Sequence, residues 1–457
     1  MASRVASIGQ VLDLSIEGLG HDGQGVGRWR DTVVFVPGAL PEETVRVRVR
    51  RLARRHLEAD LLGVESPSAQ RVKPACILAE RCGGCSLQHC SATAQAELKT
   101  DLVRQALRRI GQLDVDCQTT GVLQPIWQAS GTLGYRNRAL IPLERTAEGI
   151  LRAGYYRRGS HRIVNMNRCP VLDPRIDALI EPLKRDLEAV GWPVDVNLSS
   201  SGGLRHLGLR VGHHSGEVLI TLVSSHANLP GLVDLSASWM ERWPQVVGVG
   251  LNLQPKASNV VLGPETRCVA GRPWLHERFA GLDLQIGADT FFQVNTPQAE
   301  RLVPLLVDFL AAADGPRVLD AYCGIGTFSL PLAAAGAHVL GLELQAQSVQ
   351  QAQASAMRNG LERARFEQAD VAAVLQAHLP RCDGLLVDPP RKGLTPEVLA
   401  AIEAAPPPRL AYISCNPATL ARDLGQLNAL FSVERVQPVD FFPQTSHVEA
   451  AALLRRR

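Results

Sequence analysis

From about residue 290 onward, short apolar runs alternate with alanine- and leucine-rich stretches, and this confines that part of the chain to an open, mostly parallel α/β sheet. The runs fall at 317–324, 338–344, 364–370, 384–390 and 409–415. In such sheets ligands collect beyond the carboxyl ends of the strands, so the residues closing each run carry the first functional information. The 457 residues leave room for further domains, at about 100–200 residues each. Hydrophobic residues make up 46% and charged residues 20%, which excludes collagen-like, wholly disordered and small disulfide-scaffold chains. Net charge is +3, from 48 basic and 45 acidic residues, so any nucleic-acid surface has to come from local clustering. The first residues lack the continuous apolar core of a signal peptide. The most apolar stretch, 302–313, is broken by Pro304 and Asp308 and is too short for a bilayer. These features predict a soluble, cytoplasmic protein.

The first 65 residues are glycine-punctuated, with Gly18, Gly20, Gly23, Gly25 and Gly27 separating short segments. In the run 44–50, Val45, Val47 and Val49 share one face of a strand, and Arg46, Arg48 and Arg50 share the other. Arg51, Arg54 and Arg55 follow, with no acid between Thr44 and His56. A small five-stranded barrel suits this spacing. The arginine face reads either as solvated charge protecting an edge or as a phosphate-binding surface. Residues 66–90 are loop-like, and 91–110 predict an amphipathic helix with Leu98, Leu102, Ala106 and Ile110 on one side and Gly111 as its stop. From about 130 to 285, β-like segments such as 161–166 and 216–225 dominate. Tyr135, Arg136, Arg138, Tyr155, Tyr156, Arg157, Arg158 and Arg162 open this region, a mixture of rings and cations that suits either unstacked bases and phosphates or a solvated face.

The chemistry-bearing residues close the C-terminal runs. Residues 318–322 lead into Cys323-Gly324-Ile325-Gly326-Thr327, a strand-to-helix turn whose glycines admit a ligand to the backbone. Asp320 precedes the turn, and Glu343 ends the next run, where a carboxylate accepts hydrogen bonds from a ribose diol. Position 329 is Ser rather than the third glycine of a dinucleotide fingerprint, but spacing alone leaves NAD and S-adenosylmethionine both open. Asp370 closes the third run, as a surface acid or an adenine contact. Asp388 is held by Pro389 and Pro390 at the end of the fourth. Cys415 ends the fifth, as a small core residue or a nucleophile facing the same crevice. Glu449 heads a final apolar strand, where an acid is costly unless paired or functional. One thiol, one base and a sulfonium donor solve a specific problem. Uracil C5 is a poor nucleophile until a thiolate adds at C6, and a base must later remove the C5 proton so that the thiolate can leave. Separately, Cys76, Cys82 and Cys85 lie within ten residues, with Cys90, Cys117 or Cys169 as a fourth thiol. Such a set holds zinc or an iron–sulfur cluster.

Phe291-Phe292-Gln293-Val294-Asn295, Asp320-Ala321-Tyr322-Cys323-Gly324-Ile325-Gly326, Asp388-Pro389-Pro390-Arg391, Ser414-Cys415-Asn416-Pro417 and His447-Val448-Glu449 resemble, in chain order, the signatures of the RNA 5-methyluridine methyltransferase family. The resemblance implies that Cys415 is the nucleophile and Glu449 the base. It implies an S-adenosylmethionine pocket lined by Gln293, Tyr322, Thr327, Glu343, Asp370 and Asp388, with Gln293 and Asp388 also near the target base. Thr327 stands where relatives often have asparagine. Cytosine-5 enzymes usually carry a cysteine after the fourth strand, where this chain has Asp388-Pro389-Pro390-Arg391, which argues for uracil. The run from Cys82 to His89, with Cys169-Pro170, resembles the family's iron–sulfur branch. It implies a [4Fe-4S] cluster on Cys76, Cys82, Cys85 and Cys169, with Cys90 and Cys117 as bystanders. The architecture so implied is an N-terminal OB-like TRAM barrel at 1–65, a β-rich central iron–sulfur and RNA-binding domain at 66–90 and 130–285, a helix and linker at 91–129 packing on the catalytic domain, and a Rossmann-like class I methyltransferase domain at 286–457. The implied reaction is methylation of uracil C5 in 23S ribosomal RNA, at position 1939, by a monomer without a membrane partner. The alternatives are a different ribosomal or transfer RNA uridine, or a non-catalytic iron–sulfur RNA-binding protein.

Overall fold

The computed structural model describes residues 6–114, 121–194, 196, 202–256 and 258–457; Cys117 lies outside them. Strands β1 (Val11–Leu19), β2 (Gly25–Trp29), β3 (Thr32–Val36), β4 (Thr44–Leu52) and β5 (His56–Ser66) close into a barrel in the order β1-β2-β3-β5-β4. The alternation in β4 does what it promises, since Val45, Val47 and Val49 are buried in the barrel core. Its cationic face is not free of acids, however. Arg46 meets Asp13 at 3.1 Å and Glu65 at 3.4 Å, Arg50 meets Glu58 at 3.0 Å and Asp60 at 3.5 Å, and Arg51 meets Glu58 at 3.1 Å. The partners come from β1 and β5, across the ladder rather than along the chain.

Helix α1 (Ala92–Arg109) starts at Ser91, whose hydroxyl accepts from the Ala94 N–H at 3.2 Å. The central region then builds β6 (Arg138–Arg145), β7 (Leu151–Ala153), α2 (Pro174–Val190), β8 (Leu204–Val211), β9 (Val218–Ser224), α3 (Leu232–Arg242), β10 (Val246–Leu253) and β11 (Glu265–Gly271). Its sheet runs β11-β10-β9-β8-β6-β7, and residues of α2 and α3 share its core. Two helices therefore stand in a region expected to be mostly β. The first is bounded by Asp173-Pro174 as cap and first turn and by Gly191 at φ 75. The stretch 161–166 makes only an isolated bridge, Ile163 to Tyr156. A hairpin of β12 (Trp274–Phe279) and β13 (Leu282–Gly287) follows, and its Leu275, Phe279, Leu284 and Ile286 sit in one core with the C-terminal domain.

That domain comprises α4 (Thr296–Phe309), β14 (Arg317–Ala321), α5 (Ser329–Ala334), β15 (His338–Glu343), α6 (Ala346–Arg358), β16 (Ala364–Gln368), α7 (Val371–His378), β17 (Gly384–Val387), α8 (Pro396–Ala404), β18 (Arg409–Ser414), α9 (Pro417–Leu427), β19 (Phe431–Val439) and β20 (Glu449–Arg456). All five apolar runs are strands of one sheet, ordered β16-β15-β14-β17-β18-β20-β19. The first five are parallel, and β20 is antiparallel to both neighbours. Residues N-terminal to the central domain complete this layer. Helix α1 packs on α9, and at its end Gly111 lies so close that a Cβ would stand 2.7 Å from the Ala421 carbonyl oxygen. Farther on, Gln124 and Trp127 donate to Val436 and Pro438 of β19, each at 2.9 Å. Among the described residues no helix is long and apolar enough to cross a membrane.

The aromatic and basic stretch is divided between interior and surface, with Tyr135 buried and Arg157, Arg158 and Arg162 exposed. Tyr135 donates to the Pro443 carbonyl at 3.0 Å, Arg138 donates to Ala288 O at 3.3 Å, and Arg158 to Cys85 O at 3.2 Å. The ion pairs on the barrel have a measurable consequence. Replacing Arg46, Arg48 and Arg50 with alanine should change the salt slope of RNA binding by less than one. Three lost phosphate contacts would flatten it by about 2–3, and a change of that size would show that the arginines leave their carboxylates for RNA.

Candidate active site

The crevice forms where β14, β15, β17 and β18 end. At its floor the chain turns sharply after β14, with Tyr322 in a left-handed conformation at φ 69, a strained geometry that surrounding structure must impose. The Gly324 N–H donates to Glu343 Oε2 at 3.1 Å and the Gln345 N–H to Oε1 at 2.8 Å, so Glu343 ties the glycine turn to the end of β15. Asp370 caps α7 through the Ala372 N–H at 3.0 Å, and its charge, after burial, helps push the Tyr322 phenol up to about 12. Thr327 is buried beside the turn. Gln293 Nε2 donates to Asp388 Oδ2 at 3.4 Å, so residues from two distant motifs meet here. Asn137 fixes Gln293 from behind, donating to its carbonyl at 2.9 Å.

The acids in this crevice resist ionisation. Burial raises Asp388 to about 7. Burial, with the charges of Asp388 and Glu343 added, raises Asp320 to about 7 even though the Ser329 hydroxyl donates to it. Glu449 is only 6% exposed, and burial and the charge of Asp388 raise it to about 8. At the end of β18, Cys415 is half-buried and precedes α9, which Asn416 caps by accepting from the Ala418 N–H at 3.0 Å. Burial and the charge of Glu449 push the Cys415 thiol up, and the nearby Arg391 guanidinium pulls the other way. Asn416 Nδ2 and Thr419 Oγ1 donate to the Arg391 carbonyl at 3.2 and 3.3 Å, locking the Asp388 loop to the start of α9. Arg391, Cys415 and residues 446–448 open into a cleft of about 620 Å³, whose other walls are barrel residues such as His21 and Phe35 and α1 residues such as Leu102 and Arg109.

Residues 280–457 match the tRNA (uracil-5-)-methyltransferase family and residues 6–62 match the TRAM domain. An uncharacterized RNA methyltransferase of Parasynechococcus marenigrum (strain WH8102) is 50% identical over 451 residues, covering 97% of this chain and 95% of the relative. Another from Listeria monocytogenes serotype 4b (strain F2365) is 34% identical and covers 97% of each chain. Among solved structures, Pyrococcus abyssi tRNA (uracil-54, C5)-methyltransferase in complex with S-adenosyl-L-homocysteine superposes with a TM-score of 0.76 at 29% identity, over 97% of this chain and 99% of that one. The chain belongs to the RNA uracil-5-methyltransferase family.

The family's S-adenosylmethionine donor suits the charge of the crevice. The charges of Asp388 and Glu343 each act unfavourably on an ionised Asp320, and that of Asp388 on an ionised Glu449. A sulfonium relieves that repulsion, whereas a dinucleotide pyrophosphate adds to it. Charge thus separates the two cofactors that strand spacing left open.

Two parts of the site lay outside the sequence reading. Arg391 belongs to a quoted motif, yet only the structure places its guanidinium near Cys415. The other is the turn 440–448 leading to Glu449, which is held from outside its own domain. A second cavity, of about 210 Å³, is lined by Cys76, Cys82, Cys85 and Cys169 together with Tyr135, Tyr155 and Thr445. Cys90 does not line it and packs against Leu40 and Leu87. Among the described residues, no three His, Cys, Asp or Glu side chains converge as ligands of one metal ion.

The opposing influences on Cys415 predict opposite shifts. A raised thiol pKa means less thiolate at a given pH, so Arg391→Met should move the pH midpoint of Cys415 alkylation upward. Glu449→Gln, which removes the carboxylate that disfavours thiolate, should move it downward. Iodoacetamide labelling from pH 6 to 10, read by mass spectrometry of the Cys415 peptide, measures both.

Proposed function

We propose that this chain transfers the methyl group of S-adenosylmethionine to C5 of a uridine in 23S ribosomal RNA, at position 1939, through a covalent adduct on Cys415. The observation that carries this reading is the meeting of a thiol, a guanidinium and a buried carboxyl: Cys415 and Arg391 line one cleft, and Glu449 lies buried behind it, close enough for its charge to act on Cys415 and that of Arg391 to act on Glu449. Cys415 Sγ as thiolate adds to uracil C6, and the displaced electron pair makes C5 enolate-like. C5 then takes the methyl group, leaving the donor as the neutral thioether. Glu449 as carboxylate removes the C5 proton, the C5–H pair closes the C5=C6 bond, and the thiolate departs. A carboxyl with a pKa raised to about 8 is a stronger base than an exposed one once ionised, which suits removal of a carbon-bound proton. Gln293 and Asp388 would hold the target base, and Tyr322, Thr327, Glu343 and Asp370 the donor. A cleft reaching from Cys415 to the barrel suits a nucleotide splayed out of its stack.

A transfer RNA uridine is the second reading. The Pyrococcus abyssi enzyme named for tRNA uracil-54 matches nearly the whole chain, so chain length and architecture do not favour ribosomal over transfer RNA. Mapping 5-methyluridine in both RNA classes from a deletion strain separates these substrates. Loss at one 23S position supports the first reading, loss in tRNA the second, and loss in neither favours the non-catalytic alternative. In vitro, Cys415→Ala should abolish methyl transfer while leaving donor binding within about twofold. Glu449→Gln should accumulate a denaturation-resistant, methylated protein–RNA adduct. Normal turnover by that variant would remove Glu449 from the role of base.

The four-cysteine cavity fits a group larger than an ion. A single zinc draws its sulfurs to about 2.3 Å from one centre, which these thiols do not do. Yet all four line one cavity, and burial together with neighbouring thiols raises Cys85 and Cys169. We assign Cys76, Cys82, Cys85 and Cys169 as ligands of a [4Fe-4S] cluster. It would supply a cross-link between the loop 76–85 and the central domain, because methyl transfer itself is redox-neutral. Protein purified without oxygen should contain about four irons per chain. Cys169→Ser should lose most of that iron and Cys90→Ser should keep it; the reverse pattern would move the fourth ligand.

A further inference from the structure

The turn 440–448 delivers Glu449 to the crevice, yet much of its support comes from outside the sheet it serves. Lys99, fully enclosed on α1, places its ammonium 2.6 Å from Asp440 Oδ1 and 3.0 Å from the Phe442 carbonyl. Gln95, one helical turn earlier and 2% exposed, forms a reciprocal pair with Gln444. Its Oε1 accepts from the Gln444 N–H at 2.8 Å, and its Nε2 donates to Gln444 Oε1 at 3.1 Å. The same Nε2 donates to Leu87 O and Cys90 O at 3.1 and 2.8 Å, so Gln95 also fixes the segment entering α1. That segment returns the contact: the N–H groups of Ser86 and Leu87 donate to Gln444 O at 3.1 and 2.9 Å. Gln444 itself holds φ at 72, a left-handed conformation that a residue with a side chain keeps only where its neighbours impose it.

We propose that Gln95 and Lys99 are positioning residues for proton removal: they hold the turn in the shape that presents Glu449 to the C5 proton of the methylated adduct. The assignment rests on Glu449 acting as the base. Neither side chain can touch RNA or donor, because both are buried away from solvent. The donor pocket is built at the ends of other strands, by bonds that do not involve α1. Removing either residue therefore leaves binding, thiolate addition and methyl transfer in place. What slows is the last step, in which Glu449 takes the C5 proton, the C5–H pair forms the C5=C6 bond and the C6–Sγ pair leaves with Cys415.

Single-turnover reactions of Gln95→Leu with labelled donor and substrate RNA test this, with Glu449→Gln as reference. Methyl transfer should stay within about twofold of wild type and product release should slow at least about tenfold, so that a methylated, denaturation-resistant adduct accumulates although Cys415 and Glu449 are intact. Hydrogen exchange should quicken at the amides of Gln444, Ser446 and His447 and stay unchanged in β14 and β15. Because Lys99→Met alone would strand a buried carboxylate, the second variant is Lys99→Met with Asp440→Leu, which removes both charges together. It should show the same adduct. Release that keeps pace with methyl transfer, or a loss that falls on donor or RNA affinity instead, would overturn the proposal. So would failure of both variants to fold, which would make these residues supports of the whole domain. If Glu449→Gln traps no adduct, the base assignment fails instead.

Discussion

One enclosed ammonium holds the molecule's separate parts in register. Lys99 of α1 and Asp440 beyond β19 meet at 2.6 Å, with the lysine side chain wholly out of solvent. Burial drives the lysine towards its neutral form and the carboxyl towards its protonated form, and each partly offsets that shift in the other. A pair of this kind is costly to break from one side and adds little when both partners are replaced by apolar groups. The observed docking of α1 against the end of β19 pairs the two groups with each other and the lysine also with the Phe442 carbonyl. The hydrogen bonds of Gln95, Ser86, Leu87 and Tyr135 to the same turn depend on that docking.

The cleft and the cysteine cavity share a wall. Thr445 lines the cysteine cavity, and Ser446, next along the chain, lines the cleft that contains Cys415. The turn between them is only a few residues thick. The barrel approaches from the other side, contributing His21 and Phe35 to the cleft. Three modules that look independent along the chain converge on one short loop.

What the sequence disclosed and what it hid divide by range. The five parallel strands, the helix after Ser91, the valine face of β4 and the glycine turn after β14 are local patterns, each complete within about a dozen residues. The catalytic candidates were equally legible, because each closes a strand or heads one. Partners far apart in the chain left no trace. Asp13 lies 33 residues from Arg46, Pro443 lies 308 from Tyr135, and Asp440 lies 341 from Lys99. The basic stretch therefore reads either as an RNA surface or as a solvated face, whereas Tyr135 and Arg138 are absorbed into domain contacts. By the same logic Lys99, a lysine within an amphipathic helix, carried no sign that it is enclosed. Helix α2 is a different kind of miss: its boundary signals, Asp173-Pro174 and Gly191, are local, and the surrounding β-rich texture outweighed them.

The position of β20 bears on how the protein comes into being. It lies between β18 and β19, although the ribosome makes it after both. Without β20, β18 lacks its partner on one edge and β19 lacks its neighbour in the sheet. The Cys415 thiol and the Glu449 carboxyl come together only with β20 in place, so completion of the candidate site coincides with closure of the sheet, and a chain terminated before Glu449 would carry the thiol without its counterpart.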